Sequence, residues 1–527
     1  MNQLVDFSYN LWHEPWLDVE TISGDIKRIN LEKLLLECQF YRAIYHSSPL
    51  VTMGLYRLVV AILQDIYRPE KLIDIVNIKK NDKFPPEKII EFGQNFGDRF
   101  DLFSKDAPFM QSADLPLTAK NETKLKPVSS LLPEIPSGTE VVHFRHTSEK
   151  TEIFCSRCTA FGLIMIPAFA TSGGKGIRPS INGTPPFYVI PGGNSLFEIL
   201  AHSLLIPEYQ NPFTINIKED KAFWRRKKPV TIMQDEPQFE VGYLHSLTFP
   251  TRRVRLHPVY QEGTCTACGD PIKIGVKTIV FEMGECRPKD APFWQDPFVA
   301  YQKKKDKAPV PIRPKEGIVI WREYVALFLG TGKQNEDSTK IRPRIMDQLS
   351  RLMDEINETS SDSIILRVIG MRTNMNAKIF EWIDAGFEVP SQLFKDQEGR
   401  AAYYVNLALG FAEDCEANIK SIFCGNDVFG YNFKSTRQEM LSTYWESLGV
   451  PFKNFLLKMN NHNAPADDLS DWKKNVFQLA LAAFQKATET LGDDANILHR
   501  RFTGEKNCIK SLSQLIKGKK LKKRSKT

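Results

Sequence analysis

The sequence has no uninterrupted apolar run long enough to cross a lipid bilayer. Its longest one, FGLIMIPAFA, covers residues 161–170 and contains a proline, whereas a membrane-spanning helix needs about 20 residues. The first residues, MNQLVDFSYNLWHEPWLD, also lack the basic segment and the apolar core of a secretory signal. We therefore expect a cytoplasmic protein that has no membrane partner.

An excess of charge of one sign is absent from most of the chain. The net charge is +7 over 527 residues, but the stretch KGKKLKKRSKT, which begins at Lys517, has seven basic residues and no acidic one. Seven minus seven leaves the rest formally neutral, so any contact with nucleic acid must be local. We interpret residues 517–527 as a basic, disordered tail that attracts polyanions.

The chain is too long for one core, and its pattern changes near residue 390. Its 527 residues, 42% of them hydrophobic and 25% charged, are typical of a globular protein with roughly two to four domains. Residues 1–390 mix helical patterns with short β-type runs and long Pro- and Gly-rich loops. Residues 391–516 contain four amphipathic helical patterns in succession. The predicted fold class is α+β, with a large, irregular mixed domain followed by a C-terminal four-helix bundle.

Four of the nine cysteines form two short motifs. Cys155 and Cys158 lie in CSRC, and Cys265 and Cys268 lie in CTAC, so each pair can offer two thiolates to one ion. Because disulfides are rare inside cells, these four residues predict one structural Zn²⁺ per chain, within the mixed domain. Four sulfur ligands leave no position for a water molecule, which disfavours a catalytic metal. Two unrelated pairs are the open alternative, and the sequence lacks the βαβ context of a dithiol redox site.

Other candidate catalytic motifs are incomplete. HFRH at residues 143–146 can supply a metal ligand or a base, but isolated histidines are more often structural or exposed. GGKG at residues 173–176 lacks the Gly-Lys-Ser/Thr ending that positions phosphates and magnesium. The sequence therefore does not predict an enzyme.

Several segments in a fixed order carry a resemblance to a known family. They are DRFDLFSKDAPFMQ at residues 98–111, the first cysteine pair followed by SGGKGIRPSINGTPP at 172–186, the basic LTFPTRRVRL at 247–256, and the second cysteine pair. Together with the helical C-terminal region, they make nearly the whole chain similar to the CasA family. That family is the large subunit of Cascade, the type I-E CRISPR surveillance complex.

The resemblance implies a non-enzymatic subunit of a crRNA-guided complex. In this family the large subunit recognises a protospacer-adjacent motif (PAM) on double-stranded DNA, helps to open the duplex and recruits a helicase-nuclease. Guide pairing then reads the rest of the target. The implied partners are the crRNA 5′ handle, PAM-bearing duplex DNA, the other Cascade subunits and the helicase-nuclease.

The resemblance also assigns residues to the PAM site. The family's glycine loop matches Gly173, Gly174 and Lys175, and Gly174 is the best match for its central position. Only glycine lets the backbone enter a narrow groove and adopt a positive φ. Lys277 matches the lysine that the family places ahead of a β-strand and directs into the minor groove, which can be read only coarsely.

Two further assignments follow from the same resemblance. The wedge that splits the duplex matches Asn374, Met375 and Asn376, although the family's glutamine is absent there. Met375 is a candidate for the inserted group because apolar side chains wedge between base steps. Residues 136–150 match the segment that touches the crRNA 5′ handle.

Two other classes of function stay open from the residues alone. A zinc-dependent nuclease or deaminase would need clustered acidic residues or a ligand set with a position for water, and neither stands out in the sequence. A stand-alone interaction protein stapled by zinc would need the same four cysteines but no nucleic acid.

Deletion of residues 517–527 tests the interpretation of the tail. We expect weaker non-specific DNA binding and a flatter salt dependence, because the slope changes by about 0.9 for each phosphate that is no longer neutralised. Discrimination between duplexes with and without the PAM should persist. Titrations of the full-length and truncated chains at several salt concentrations measure both effects, and loss of discrimination would contradict the interpretation.

Overall fold

The computed structural model describes most of the chain. The described residues are 7–115, 125–132, 152–171, 177–210, 220–226, 241–287, 292–330, 333–335, 338–356, 363–373, 379–396, 399–424, 428–461 and 465–517. Several predicted positions lie outside these ranges: Gly173, Gly174, Lys175, Asn374, Met375, Asn376, the segment 136–150, and all of the tail after Lys517.

Helices occur throughout the described residues. They are α1 Leu31–Glu37, α2 Pro49–Tyr67, α3 Leu72–Lys80, α4 Pro86–Phe96, α5 Ser156–Phe169, α6 Leu196–Ser203, α7 Tyr243–Leu247, α8 Arg344–Glu355, α9 Ser391–Lys395, α10 Arg400–Ser421, α11 Lys434–Ser447, α12 Gly449–Asn461, α13 Pro465–Glu489 and α14 Ala495–Ile516.

Among the described residues, every strand precedes the last six helices. They are β1 Leu17–Thr21, β2 Ile26–Ile29, β3 Tyr41–Tyr45, β4 Leu125–Pro127, β5 Tyr188–Pro191, β6 Arg252–Thr264, β7 Pro271–Met283, β8 Tyr301–Lys304, β9 Val310–Pro311, β10 Lys333–Asn335, β11 Ser338–Ile341, β12 Ser363–Thr373 and β13 Ile379–Pro390. Four small antiparallel sheets result, in the orders β2-β1-β3, β4-β7-β6, β10-β11-β8-β9 and β13-β12-β5. The fold is therefore mixed α+β with a helical C-terminal region, as predicted, while the domain limits stay a prediction.

Helix α2 forms the centre of the mixed region. Its N-terminus is capped by Ser48, whose hydroxyl accepts a hydrogen bond from the Val51 N–H at 3.4 Å, and Pro49 occupies the first turn. Its length and composition would suit a membrane span, yet 89% of its most apolar window is buried inside the protein. Inside it, Arg57 forms an ion pair with Asp296 at 2.8 Å. Arg57 and Gln64 interrupt its sequence, so this helix does not form an uninterrupted apolar run.

The second of the four predicted C-terminal helices is divided into two. It ends as α11 at Ser447 and resumes as α12 at Gly449, so the described part of this region contains five long helices rather than four. The break has a local cause, since Pro451 has no N–H to donate to the carbonyl of Ser447 and its ring crowds that carbonyl. Helix α13 is the common neighbour, in contact with α10, α11, α12 and α14.

Replacement of Trp472 by alanine tests how the C-terminal helices hold together. Trp472 is 1% exposed on α13, donates its indole N–H to the Ala408 carbonyl at 2.9 Å, and packs against the rings of Phe452 and Phe455. We expect Trp472→Ala to lower the free energy of unfolding by about 3–5 kcal/mol, measured by denaturant titration. Val450, which is 73% exposed on α12, provides the control: Val450→Ala should change stability by less than about 0.5 kcal/mol.

Candidate metal centre

The two cysteine pairs meet at one place in the fold. The four sulfur atoms of Cys155, Cys158, Cys265 and Cys268 all lie within 4.8 Å of one another, and those of Cys155 and Cys268 are 3.8 Å apart. A tetrahedron with metal–sulfur distances of about 2.3 Å has edges of roughly 3.8 Å. The cluster therefore has the donor set and the spacing to hold one metal ion, and the alternative of two unrelated pairs is wrong.

The first pair is positioned by the start of α5. Cys155 is the N-cap residue of this helix, and its sulfur accepts a hydrogen bond from the Cys158 N–H at 3.4 Å. The preceding residue, Phe154, exchanges backbone hydrogen bonds of 3.0 and 2.8 Å with Val276 in β7. This bridge attaches the start of α5 to the sheet that also carries the second pair.

The second pair lies in the turn between β6 and β7. The Cys265 N–H donates to the Asp270 carbonyl at 2.8 Å, and the Gly269 N–H donates to the Cys265 carbonyl at 2.9 Å. Gly269 has a φ of +81°, which glycine adopts without steric cost. The tight turn closes the hairpin and directs the sulfur of Cys265 toward Cys155, whose N–H donates to it at 3.3 Å.

The sulfur atoms differ in their readiness to ionise. Hydrogen bonds from the Cys155 and Cys158 thiols hold the pKa of Cys265 well below its usual range. Hydrogen bonds to Cys155 and Cys265 raise the pKa of Cys158 well above its usual range, because it keeps the proton that it shares. A divalent cation among the four sulfurs would favour their ionised form and offset part of the repulsion between the resulting thiolates.

Two arginines and two aspartates connect the cluster to the N-terminal sheet. Arg157, between the two cysteines of the first pair, donates to the Trp16 carbonyl at 2.7 Å and to the Asp18 carboxylate in β1. Asp270, next to the second pair, lies 2.9 Å from Arg28 and 3.8 Å from Arg157. These ion pairs attach both cysteine pairs to β1 and β2. Sequence analysis did not identify these four residues. The only available signal was that Arg157 and Asp270 lie close to cysteines in the sequence.

Helix α5 and the β6–β7 hairpin both start at the cysteine cluster. At their other ends, both reach the chain next to residues 172–176, which we call the glycine segment. Helix α5 ends at Phe169, and at the other end of the β6–β7 hairpin Arg252 donates a hydrogen bond to the Thr171 carbonyl. The Ser180 N–H donates to the Ala170 carbonyl at 2.9 Å, which closes the base of the segment. The described residues on both sides of the glycine segment are thus held by the same elements that carry the cysteines.

Lys277 lies inside a strand and not ahead of one. Strand β7 begins at Pro271, and Lys277 is the extra residue of a β-bulge: His257 pairs with Thr278 and Pro258 with Val276, so Lys277 has no opposite residue on β6. A bulge bends the strand locally and redirects the side chain. Lys277 is half-buried and adjoins Val276, which is bridged to the first cysteine pair.

Comparison with known proteins matches most of the chain to one family. A model of the family described as CRISPR-associated protein Cse1 matches residues 10–483. The CRISPR-associated protein CasA/Cse1 of Thermus thermophilus is 25% identical over 543 residues, covering 96% of this chain and 98% of that protein.

Solved structures share the fold. Cse1 from Thermobifida fusca superposes with a TM-score of 0.77 at 20% identity, covering 97% of this chain and 98% of its own. A chain from a structure described as a CRISPR RNA-guided surveillance complex has a TM-score of 0.71 at 17% identity, with 95% and 99% covered. Because the family match spans most of its length, this chain belongs to the CRISPR-associated Cse1 family, also named CasA, which confirms the resemblance carried by its motifs.

Proposed function

We propose that this chain is the large, non-catalytic subunit of a crRNA-guided type I-E Cascade complex in the cytoplasm. In that role it recognises the PAM on double-stranded target DNA, helps to open the duplex and recruits the helicase-nuclease. The observation that carries the proposal is the family match over residues 10–483. The likeness to a chain of a CRISPR RNA-guided surveillance complex supports crRNA and the other Cascade subunits as partners.

The cysteine cluster supports a structural role for its metal, which we take to be one Zn²⁺ per chain. Four sulfur ligands suit zinc and close its coordination shell. The ion would then cross-link the start of α5 to the turn between β6 and β7. The free energy of metal binding of this kind contributes to folding. The residues around the cluster would therefore stabilise the proposed DNA-binding surface and would not take part in a reaction.

The enzyme alternatives find no support in the described residues. A nuclease would need clustered carboxylates, and a deaminase would need a metal with an open position beside a glutamate. Within the ranges that the structure describes, the cysteine cluster is the one group of three or more metal-type ligands brought together. The other alternative, a stand-alone interaction protein with a structural zinc ion, differs from the leading proposal in its partners, because it would not bind nucleic acid.

The PAM site is assigned to Gly173, Gly174, Lys175 and Lys277. A backbone without a Cβ approaches the groove closely, and the lysines supply positive charge near phosphates or base edges. The bulge at Lys277 and the anchors at Thr171 and Ser180 support this assignment, since they hold the described neighbours of these residues on elements joined at the cysteine cluster.

The remaining contacts follow from the same family role. Asn374, Met375 and Asn376, between β12 and β13, are the wedge that opens the duplex, and residues 136–150 contact the crRNA 5′ handle. The C-terminal helices act as a four-helix bundle in which α11 and α12 form one interrupted member. Their exposed faces are available to other subunits.

Co-purification from the native host tests the choice between these classes of function. We expect several partner subunits and RNA of one fixed length to accompany the chain, measured by mass spectrometry and by sequencing of the bound RNA. The chain purified alone, without RNA or partners, would favour the stand-alone interaction protein instead.

Metal analysis tests the zinc site. We expect about one zinc per chain, and Cys268→Ser should reduce the zinc content and lower the melting temperature, because the site then lacks one thiolate. Cys424→Ser is the matched control, as this cysteine lies beyond α10, where its sulfur donates to the Lys420 carbonyl. Protein without zinc, or Cys268→Ser with an unchanged melting temperature, would refute the site.

Substitutions in the PAM residues test the function directly. Gly174→Asp adds bulk and a negative charge facing phosphate, so binding of PAM-bearing duplex should fall sharply. Lys277→Ala should cost about 1–3 kcal/mol, or roughly tenfold to a hundredfold in affinity. Binding of single-stranded target should survive both changes, because guide pairing there needs neither PAM nor duplex opening. Affinities of the assembled complex for duplex and single strand are the measurement.

The control for Lys277 is Lys273→Ala, which removes an exposed lysine from the same strand. It should leave duplex affinity close to that of the unchanged complex. Equal losses on duplex and single strand for Gly174→Asp or Lys277→Ala would mean that these residues serve folding or assembly. No loss on duplex would mean that the PAM site lies elsewhere.

A further inference from the structure

Arg252 is a buried arginine that has no carboxylate partner among the described residues. It is 4% exposed at the start of β6. Its guanidinium donates to the Thr251 carbonyl at 2.8 Å, to the Thr251 hydroxyl at 3.2 Å and to the Thr171 carbonyl, and it lies over the ring of Phe281. Burial lowers the pKa of Arg252 to about 10, so the side chain is still charged at neutral pH.

The next residue in the strand shows the usual arrangement. Arg253 is also buried, but it pairs with the carboxylate of Asp114 and lies 3.6 Å from that of Glu282. A buried charge with a carboxylate partner is compensated, whereas one that relies on neutral carbonyls is expensive to bury. An apolar side chain of similar size at Arg252 would avoid that expense. The guanidinium instead makes three hydrogen bonds, to Thr251 and Thr171, that an apolar side chain cannot make, and these contacts give it a positioning role.

The contacts of Arg252 lie at both ends of the glycine segment. Thr171, which accepts its hydrogen bond, is the residue immediately before that segment. On the other side, the Arg178 N–H donates to the Met283 sulfur at 3.3 Å, and the same sulfur lies 3.7 Å from the Arg252 guanidinium. The Arg252 side chain thus contacts Thr171, just before the glycine segment. Through Met283 it is also connected to Arg178, just after the segment.

We propose that Arg252 is a positioning residue that fixes both ends of the glycine segment to the β6–β7 hairpin and so sets where the segment meets duplex DNA. Its charge strengthens the hydrogen bond to the Thr171 carbonyl, since charge-assisted hydrogen bonds are stronger than neutral ones. Arg252 acts through Thr171 and Met283 and does not itself contact the DNA. The inference rests on the proposed PAM function of the segment, and it adds the residue that orients it.

The test compares Arg252→Met, Arg252→Lys and the control Arg253→Met in the full-length chain and in the assembled complex. For Arg252→Met we expect faster amide hydrogen exchange around residues 171–178 in the chain alone and a smaller change in melting temperature than for Arg253→Met. Affinity of the complex for PAM-bearing duplex should fall about tenfold, as expected for one lost charge-assisted hydrogen bond, with single-strand affinity unchanged. Arg252→Lys should restore part of the duplex affinity, because it keeps a charged donor.

Arg253→Met should behave differently. It leaves Asp114 and Glu282 without their cation, so we expect a lower melting temperature and no selective loss on duplex DNA. Unchanged exchange and unchanged duplex affinity in Arg252→Met would overturn the inference, and so would equal losses on duplex and single strand with a lower melting temperature. If the unsubstituted complex does not discriminate the PAM, the proposed function fails, while hydrogen exchange in the chain alone still decides whether Arg252 holds the segment.

Discussion

Four cysteine sulfurs lie together where helix α5 meets the β6–β7 hairpin, two elements that are far apart in sequence. Cys155 and Cys158 start α5, and Cys265 and Cys268 form the turn of the β6–β7 hairpin, with all four sulfurs within 4.8 Å of one another. From that point helix and hairpin lead to the flanks of the glycine segment, where Arg252 contacts Thr171. A cross-link at one end of two rigid elements constrains their separation at the other end. The candidate metal centre and the described residues on both sides of the glycine segment are therefore held by the same two elements.

A buried ion pair holds the chain that follows the glycine segment. Arg57 in α2 binds Asp296 at 2.8 Å, and the Asn182 side-chain amide donates to the same carboxylate at 3.4 Å. Arg313 donates to the carbonyls of Asn182 and Thr184 at 3.1 and 2.8 Å. Removal of one partner of such a pair leaves an uncompensated buried charge, which typically costs about 3–5 kcal/mol. The segment after the glycines is thus attached to α2, a largely buried helix.

Aromatic contacts around one arginine help to join the mixed and helical regions. The guanidinium of Arg322 lies 3.9 Å from the ring centre of Trp445 in α11 and 3.2 Å from the carboxylates of Glu413 and Glu416 in α10. Trp321 stacks on Phe452 of α12 at 4.8 Å. Because cation–π and stacking contacts need close, oriented approach, this junction couples the position of the helical region to the strands and loops that precede it.

Local patterns in the sequence were sufficient for features that depend on neighbours along the chain. The two Cys-x-x-Cys motifs predicted their knuckles, and apolar spacing predicted the C-terminal helices, because a turn or a helix is decided within a few residues. The break between α11 and α12 was also readable from Pro451, although the sequence analysis passed over it. The order of the motifs was enough to identify the family.

Features that depend on distant residues were decided only by tertiary structure. The cysteine pairs share one site because Phe154 pairs with Val276, and Lys277 lies in a bulge because of the register between β6 and β7. Arg252 belongs to a segment that reads as basic, yet it is buried in contact with Thr171, Phe281 and Met283. Composition alone would allow α2 to be a membrane span or a core helix, and only the packing of the rest of the chain around it made the choice. Register and the contacts between distant residues are properties of the assembled chain, so local patterns do not determine them.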